Sequence, residues 1–231
     1  MRNAVITGGS QGIGAAVAMK LAQQGFALAI CARNETDLQK IASEARAAGS
    51  PAVHVFSVDL SMPDGAGRFA AFVRSHFQQL DILVNNAGLF LPGQLRDEPQ
   101  GQLVMMLQLN VISAYDLTRE MIPLMGNKGH IFNMCSVASL KAYPNGGSYS
   151  ISKYALLGFS DNLREELKTS GIRVTALCPG ATHSRSWEGS GVHEDRIMAA
   201  SDIADTLWSA YTLSANAVVE TVIIRPQLGD L

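Results

Sequence analysis

No run of 18 uninterrupted apolar residues occurs in the 231-residue sequence, and its first seven residues lead straight into a Gly-Gly pair, too soon for a signal peptide's apolar region. Neither a membrane partner nor a secretory route is expected, and the chain reads as cytoplasmic. Basic residues form no cluster of five or more. With 18 Lys+Arg against 20 Asp+Glu and a net charge of -2, there is no electrostatic footprint for a nucleic acid. Cysteine is scarce and odd in number: Cys31, Cys135 and Cys178 stand far apart within apolar runs, as buried reduced thiols do, which excludes a disulfide framework and a metal cluster. Charged residues make up only 16% and hydrophobic ones 47%, too apolar a balance for disorder. No repeat, low-complexity tract or Pro/Ser-rich linker divides the chain, and α/β proteins of about 250 residues often close around one core. One domain over residues 1–231 is expected.

What is present is an alternation. Short apolar, β-prone runs recur at residues 4–7, 27–31, 52–58, 82–85, 130–135, 173–178 and 218–224, separated by longer segments with helical spacing. Residues 12–24 place Ile13, Val17 and Leu21 on one helix face. A second helix is expected over residues 37–48, after the candidate cap Thr36 and ending at Gly49. Alternation of this kind builds βαβ units, and strands without polar alternation belong where helices cover both faces. The expected fold is an α/β, Rossmann-type doubly wound parallel sheet of about seven strands. Residues 182–199 are longer, polar and aperiodic, and read as a loop on the substrate side.

Directly after the first strand run stands Thr7-Gly8-Gly9-Ser10-Gln11-Gly12-Ile13-Gly14, leading into a helix. Glycines let a backbone turn tightly and approach a pyrophosphate, while the helix N-terminus offers oriented N–H donors and a positive dipole. The second strand run ends Ile30-Cys31-Ala32-Arg33-Asn34. An NAD-binding unit would place Asp or Glu there for the adenosine ribose. The uncharged Ala32 leaves room for a 2′-phosphate and the Arg33 guanidinium can clamp it, so NADP(H) is favoured over NAD(H).

A third constellation begins at Tyr149. Tyr149 and Lys153 lie four apart at the start of a helical pattern running to about residue 167, hence on one face. An ammonium near a phenol favours the phenolate and can move its proton chemistry toward neutral pH. Ser136 ends the strand run at 130–135, a natural place for a hydroxyl facing the same cleft.

Together with Asn85-Asn86-Ala87-Gly88 and Pro179-Gly180, these motifs occur in an order and at spacings that make the chain, from Val5 to Pro226, resemble the short-chain dehydrogenase/reductase family. The resemblance implies a catalytic tetrad. Tyr149 matches the general acid/base, Ser136 the hydroxyl that orients the carbonyl oxygen, and Lys153 the residue that bonds the nicotinamide ribose and lowers the tyrosine pKa. Asn110, in Leu107-Gln108-Leu109-Asn110-Val111, matches an asparagine that holds a proton-relay water. On the cofactor side Asp59, followed by Leu60, matches an adenine contact, Asn85 a residue lining the ribose, and Thr182 a carboxamide contact. The cofactor-binding set then comprises Gly8, Ser10, Gln11, Gly12, Ile13, Gly14, Ala32, Arg33, Asp59, Leu60, Asn85, Ala87, Gly88, Tyr149, Lys153, Pro179, Gly180, Thr182 and Ser184, with no metal. Two positions depart from the pattern: Gln11 stands where NADP-dependent members often have Arg or Lys, and Ser184 where Thr is frequent.

The family implies a homodimer or homotetramer acting on a small carbonyl or alcohol. Candidate pocket residues are Leu89, Phe90, Leu91, Leu95, Leu140, Tyr143, His183, Trp187 and Val192, mostly apolar or aromatic. The expected activity is NADPH-dependent reduction of a ketone, aldehyde or 3-oxoacyl group. Alternatives are a pterin reductase, since residues 219–231 are similar to sepiapterin-reductase-like members and Asp230 could hold a pterin edge; an NAD-dependent alcohol dehydrogenase; and a non-catalytic NADPH-binding regulator.

Overall fold

The computed structural model describes residues 1–184 and 191–230. Seven strands form one sheet: β1 (Arg2–Thr7), β2 (Phe26–Ala32), β3 (Val53–Ser57), β4 (Leu80–Asn85), β5 (Met125–Met134), β6 (Arg173–Pro179) and β7 (Thr221–Ile224). Every neighbouring pair is parallel and the order is β3-β2-β1-β4-β5-β6-β7. The α-helices are α1 (Gly12–Gln23), α2 (Glu35–Ala47), α3 (Gly65–His76), α4 (Gln102–Leu107), α5 (Ser113–Met121), α6 (Gly147–Leu167) and α7 (Ala200–Tyr211). None of the described helices is long and apolar enough to cross a membrane.

The apolar strand runs are explained by burial on two sides. Ala4 and Ile6 of β1 pack with Val17 and Leu21 of α1, Leu38 of α2 and Leu207 of α7. Val5, between them, points the other way and joins Phe69 of α3, Leu117 of α5 and Leu163 of α6. This is the alternation of a pleated strand with a core on each face. Winding starts at β1, runs outward to β3, then crosses to β4 and continues to β7. The chain therefore reverses direction between β1 and β4, and the loops beyond the carboxyl ends of these two strands enclose a crevice.

Local details differ from the sequence reading where a side chain or bulge intervenes. Asn34, not Thr36, caps α2: its Oδ1 accepts the Asp37 amide at 3.0 Å, so the helix starts two residues earlier than expected. The end at Gly49 holds, with φ +114. β5 starts at Met125, five residues before the expected run, because Leu80 pairs with Met125 and Ile82 with His130, leaving residues 126–129 as a bulge. β7 starts at Thr221, and just before it the carbonyls of Val219 and Glu220 accept from Thr175 Oγ1 and the Ala176 amide. All three cysteines are buried free thiols, and Cys135 and Cys178, distant in sequence, share one core cluster.

Candidate active site

The glycine loop closes the β1 end of the crevice. Gly8 and Gly12 take φ +63 and +51, a region L side chains rarely adopt. A Cβ on Gly14 would lie 2.5 Å from Asn86 Nδ2 and closer still to the Gly8 carbonyl, so only glycine lets α1 start this near the strand. Gln11, the N-cap of α1, is extended and gives no side-chain cap, and no acid occupies the first turn. The first amides and the positive end of α1 are thus left for an anion. Gln11 instead donates through Nε2 to Asp37.

Thr7 and Asn86 bind this loop to the one after β4. Thr7 Oγ1 accepts the amides of Asn86 and Ala87, both at 2.9 Å, and Asn86 Nδ2 donates to the carbonyls of Thr7 at 2.9 Å and Gly8 at 3.0 Å. Asn85 corrects an expectation. Its side chain does not line the crevice; it is buried in the core, donating to Thr118 Oγ1 and Asn133 Oδ1 at 2.8 Å each. Successive strand residues face opposite sides, so the inward position falls to Asn85 and the bridging one to Asn86.

At the end of β2, Ala32 is partly buried and Arg33 exposed. The Asp59 carboxyl is held below its ordinary range by hydrogen bonds from Ser61 and, to a smaller degree, by the Arg33 guanidinium, which places Arg33 and Asp59 at one corner. The Leu60 side chain is packed in the core. On the other side Gly180 follows β6, Thr182 Oγ1 donates to the Gly180 carbonyl at 2.9 Å, and Ser184 lies over Gly12, its Cβ 3.3 Å from where a Gly12 side chain would begin. The segment is fixed from outside by Met198, whose amide donates to Ala181 O and whose carbonyl accepts from the His183 amide.

Between these corners sit the four tetrad candidates. The Lys153 ammonium is buried, donates to the Met134 carbonyl at 2.7 Å and stands 5.7 Å from the centre of the Tyr149 ring. A Cβ added to Gly88 would come 3.6 Å from this ammonium and 3.3 Å from Asn110 Oδ1, so Gly88 lies close against both. Asn110 sits in a single π turn, Gln108–Ile112, inside the α4–α5 helix. Its Oδ1 accepts the Leu89 amide at 2.7 Å, and its Nδ2 donates to Leu89 O at 3.0 Å and Ser152 Oγ at 2.9 Å. Ser152 in turn donates to the Tyr149 carbonyl at 2.7 Å. Ser136 opens a short turn after β5, its Oγ accepting the Ala138 amide at 3.1 Å and its amide donating to Ser139 Oγ.

The electrostatics reverse one expectation. Burial raises the Tyr149 phenol above its ordinary value; a hydrogen bond with Ser136 opposes this and nearby Cys135 adds to it. Burial likewise lowers the Lys153 ammonium against the pull of Cys135 and Cys178. Lys153 is committed to Met134 O, and desolvation outweighs any drive toward a phenolate.

Residues that the motifs quoted but did not rank are Thr7 and Asn86, and ones not singled out are Ser152 and Glu98. Their signal is weak, because short polar side chains next to glycines are common in turns. Of the pocket candidates, Phe90 meets the Tyr149 ring edge-on at 4.8 Å between centroids. Leu95 and Tyr143 line a cavity of about 730 Å³ beside the start of α6. Trp187 and the centre of the 182–199 loop lie outside the described residues. Asp230 pairs with Arg225.

A glycine turn feeding an open helix N-terminus, at the strand-order reversal of a parallel sheet and beside a Ser-Tyr-Lys cluster, defines a dinucleotide-binding-type α/β protein. A family model described as short chain dehydrogenase matches residues 2–194. The chain is 32% identical to an uncharacterized oxidoreductase of Staphylococcus epidermidis, over 96% of each protein, and 30% identical to a sepiapterin reductase of Chlorobaculum tepidum, over 98% of this chain and 97% of that one. Among solved structures, an alcohol dehydrogenase of the archaeon Thermococcus sibiricus complexed with 5-hydroxy-NADP superposes with a TM-score of 0.90 at 27% identity, covering 98% of this chain and 97% of the other. The chain belongs to the short-chain dehydrogenase family and is an oxidoreductase of that family.

Proposed function

We propose that the protein is an NADPH-dependent carbonyl reductase acting on a small ketone, aldehyde or 3-oxoacyl compound, with Tyr149 as general acid. The observation that carries this reading is the meeting of Ser136, Tyr149 and Lys153 at the open end of the crevice whose other wall is the glycine loop. The crevice fits a dinucleotide on its own terms: the α1 amides are uncapped, the turn has no room for a Cβ at Gly14, and the buried Lys153 ammonium, donating to Met134 O, lies beside Gly88. The pyrophosphate would lie on residues Gly8 to Gly14, with Ser184 and Thr182 on its far side. The adenosine end would lie at Ala32, Arg33 and Asp59, with Arg33 available for a 2′-phosphate, and the ribose beside Lys153 and Gly88. The NADP-complexed structural relative supports the phosphorylated cofactor.

When bound, the nicotinamide supplies the hydride. Ser136 and Tyr149 then act on the carbonyl oxygen: the Ser136 hydroxyl donates a hydrogen bond that orients it, and the Tyr149 hydroxyl donates the proton as negative charge develops there. Because its phenol is held in the protonated form, Tyr149 is ready to donate throughout the neutral range. Asn110 and Ser152 hold the loop after β4 and the first turns of α6 in register behind it. A pterin substrate is less well served, because the Asp230 carboxylate is already paired with Arg225. The reading includes a homo-oligomer, supported by apolar surface left exposed along α4 to α6 at Val104, Met105, Ile112, Tyr115 and Tyr154.

Titration with NADPH and NADH, followed by NADPH oxidation against diketones, sepiapterin and a β-ketoacyl thioester, tests the proposal. NADPH is expected to bind at least about tenfold tighter than NADH, about 1.4 kcal/mol, and Arg33→Ala to erase the preference. Tyr149→Phe is expected to abolish turnover with NADPH affinity unchanged. Equal affinity for the two cofactors refutes the role of Arg33, and tight NADPH binding without turnover of any carbonyl favours a regulator instead.

A further inference from the structure

Glu98 lies on the loop that follows β4, fifty residues before the helix it touches. α6, which carries both Tyr149 and Lys153, begins without a cap of its own: Gly146 holds the N-cap position, Gly147 follows, no side chain bonds the free amides from there, and the first turn has no acid. The missing group comes from Glu98. Its Oε1 accepts the Ser148 amide at 2.8 Å and its Oε2 accepts the Ser148 hydroxyl. Ser148 is buried, and Tyr149 is the next residue.

We propose that Glu98 is a positioning residue for the catalytic helix, capping the first turn of α6 from the loop after β4 and thereby holding Tyr149 and that loop together as one unit. The proposal rests on the reading of Tyr149 as the general acid. The loop is tied at its start to Asn110 through both backbone groups of Leu89, and at its far end to α6 through Glu98. Between the two ties, Phe90 rests edge-on against the Tyr149 ring, and the Gly93 amide donates to Asn145 O at 3.0 Å. The approach is close enough to dictate sequence. Gly147 has φ +38, and a Cβ there would lie 2.6 Å from Gly93 O and overlap Glu98 Oε1. A carboxylate at a helix N-terminus satisfies free amides and meets the positive end of the helix dipole. Loss of Glu98 would therefore free the helix turn before Tyr149 and the wall carrying Phe90 together.

Glu98→Ala and Glu98→Gln test this in the full chain, by amide hydrogen exchange with and without NADPH and by steady-state kinetics with whichever carbonyl the wild type reduces. Glu98→Ala is expected to speed exchange of the Ser148 and Tyr149 amides and of residues 89–98 by about tenfold or more, and to lower kcat by a similar factor with the NADPH Kd within about twofold of wild type. Glu98→Gln keeps an oxygen for the Ser148 amide and is expected to restore most of both. Exchange and kcat unchanged in Glu98→Ala, or NADPH affinity falling in step with kcat, overturns the proposal. A wild-type protein inert to every carbonyl overturns the reductase reading alone, and the exchange data still decide the cap.

Discussion

Tyr149 shows how one side chain's surroundings set its chemistry. A phenol in water ionises near ~10, and burial moves this one upward despite the hydrogen bond with Ser136. A raised pKa means the neutral form persists to higher pH. In the free protein, the phenol proton is thus retained through the neutral and mildly alkaline range and is lost only above the ordinary phenol value. The chain has five tyrosines, so the measurement is a difference: phenolate absorbance against pH for wild type minus Tyr149→Phe. The missing ionisation is expected above pH ~10, and one below it would contradict this reading of the site. The residue types were legible, since Tyr149 and Lys153 stand four apart on a helix. The direction of the shift was not, because it depends on the Lys153 ammonium being committed to Met134 O in a dry environment. Nor could adjacent Asn85 and Asn86 be told apart before the pleat sent one inward and the other across to Gly8.

At the scale of elements, the site is a set of loops held at fixed distances by short polar side chains. The first α-helix can start beneath the glycine loop only because position 14 lacks a Cβ. Gly14→Ala is expected to push Asn86 off the Thr7 and Gly8 carbonyls, weakening NADPH binding by about tenfold or more and costing about 1–3 kcal/mol of stability. Isothermal titration and urea denaturation measure the two, and an unchanged NADPH affinity would show that the loop can yield. α6 is fixed in a similar way. Asn85 donates to Thr118 of α5 and to Asn133 of β5, Asn133 donates to Ser160 of α6 at 2.8 Å, and Ser160 donates to Leu156 O. This buried chain of amides and hydroxyls links sheet and helix behind the turn that carries Tyr149. Helix and strand periods were readable along the sequence. The π turn at Asn110 was not, because a single inserted residue in a short helical stretch carries no residue-type signature.

For the molecule as a whole, the sheet interior contains one group whose charge the fold refuses. His130, fully buried on β5, stacks on Phe132 with ring centroids 3.9 Å apart and meets Thr175 Oγ1 at 2.8 Å. The single Thr175 hydroxyl proton goes to Val219 O, so the imidazole donates from Nε2, and its Nδ1 is a bare acceptor with no hydrogen-bond partner among the described residues. Burial, helped by Arg173, lowers its pKa from 6.5 to about 2. The unfolded chain takes up a proton below pH 6.5 that the folded one does not. The contribution of neutral His130 is therefore complete above that pH and drains away as pH falls, by up to ~1.4 kcal/mol per pH unit. His130→Gln is expected to be less stable at pH 7.5 but to lose less between pH 6.5 and 4.5. Urea midpoints at several pH values measure this, and equal slopes in the two proteins would refute it.

The sequence alone was enough for the class of fold, because apolar strand runs alternating with helical periods have few ways to be buried other than a parallel sheet covered on both faces. It also pointed to the glycine loop, Arg33, Ser136, Tyr149 and Lys153 as candidates, since these residue types at these places suit a phosphate, a second phosphate and a proton. What only the tertiary structure decided was how those groups are supported: Glu98 capping α6, Asn86 bridging two loops, Asn85 turned into the core, Asp230 taken by Arg225. Each of these depends on a contact between residues distant in sequence, and such a contact has no period and leaves no spacing to read.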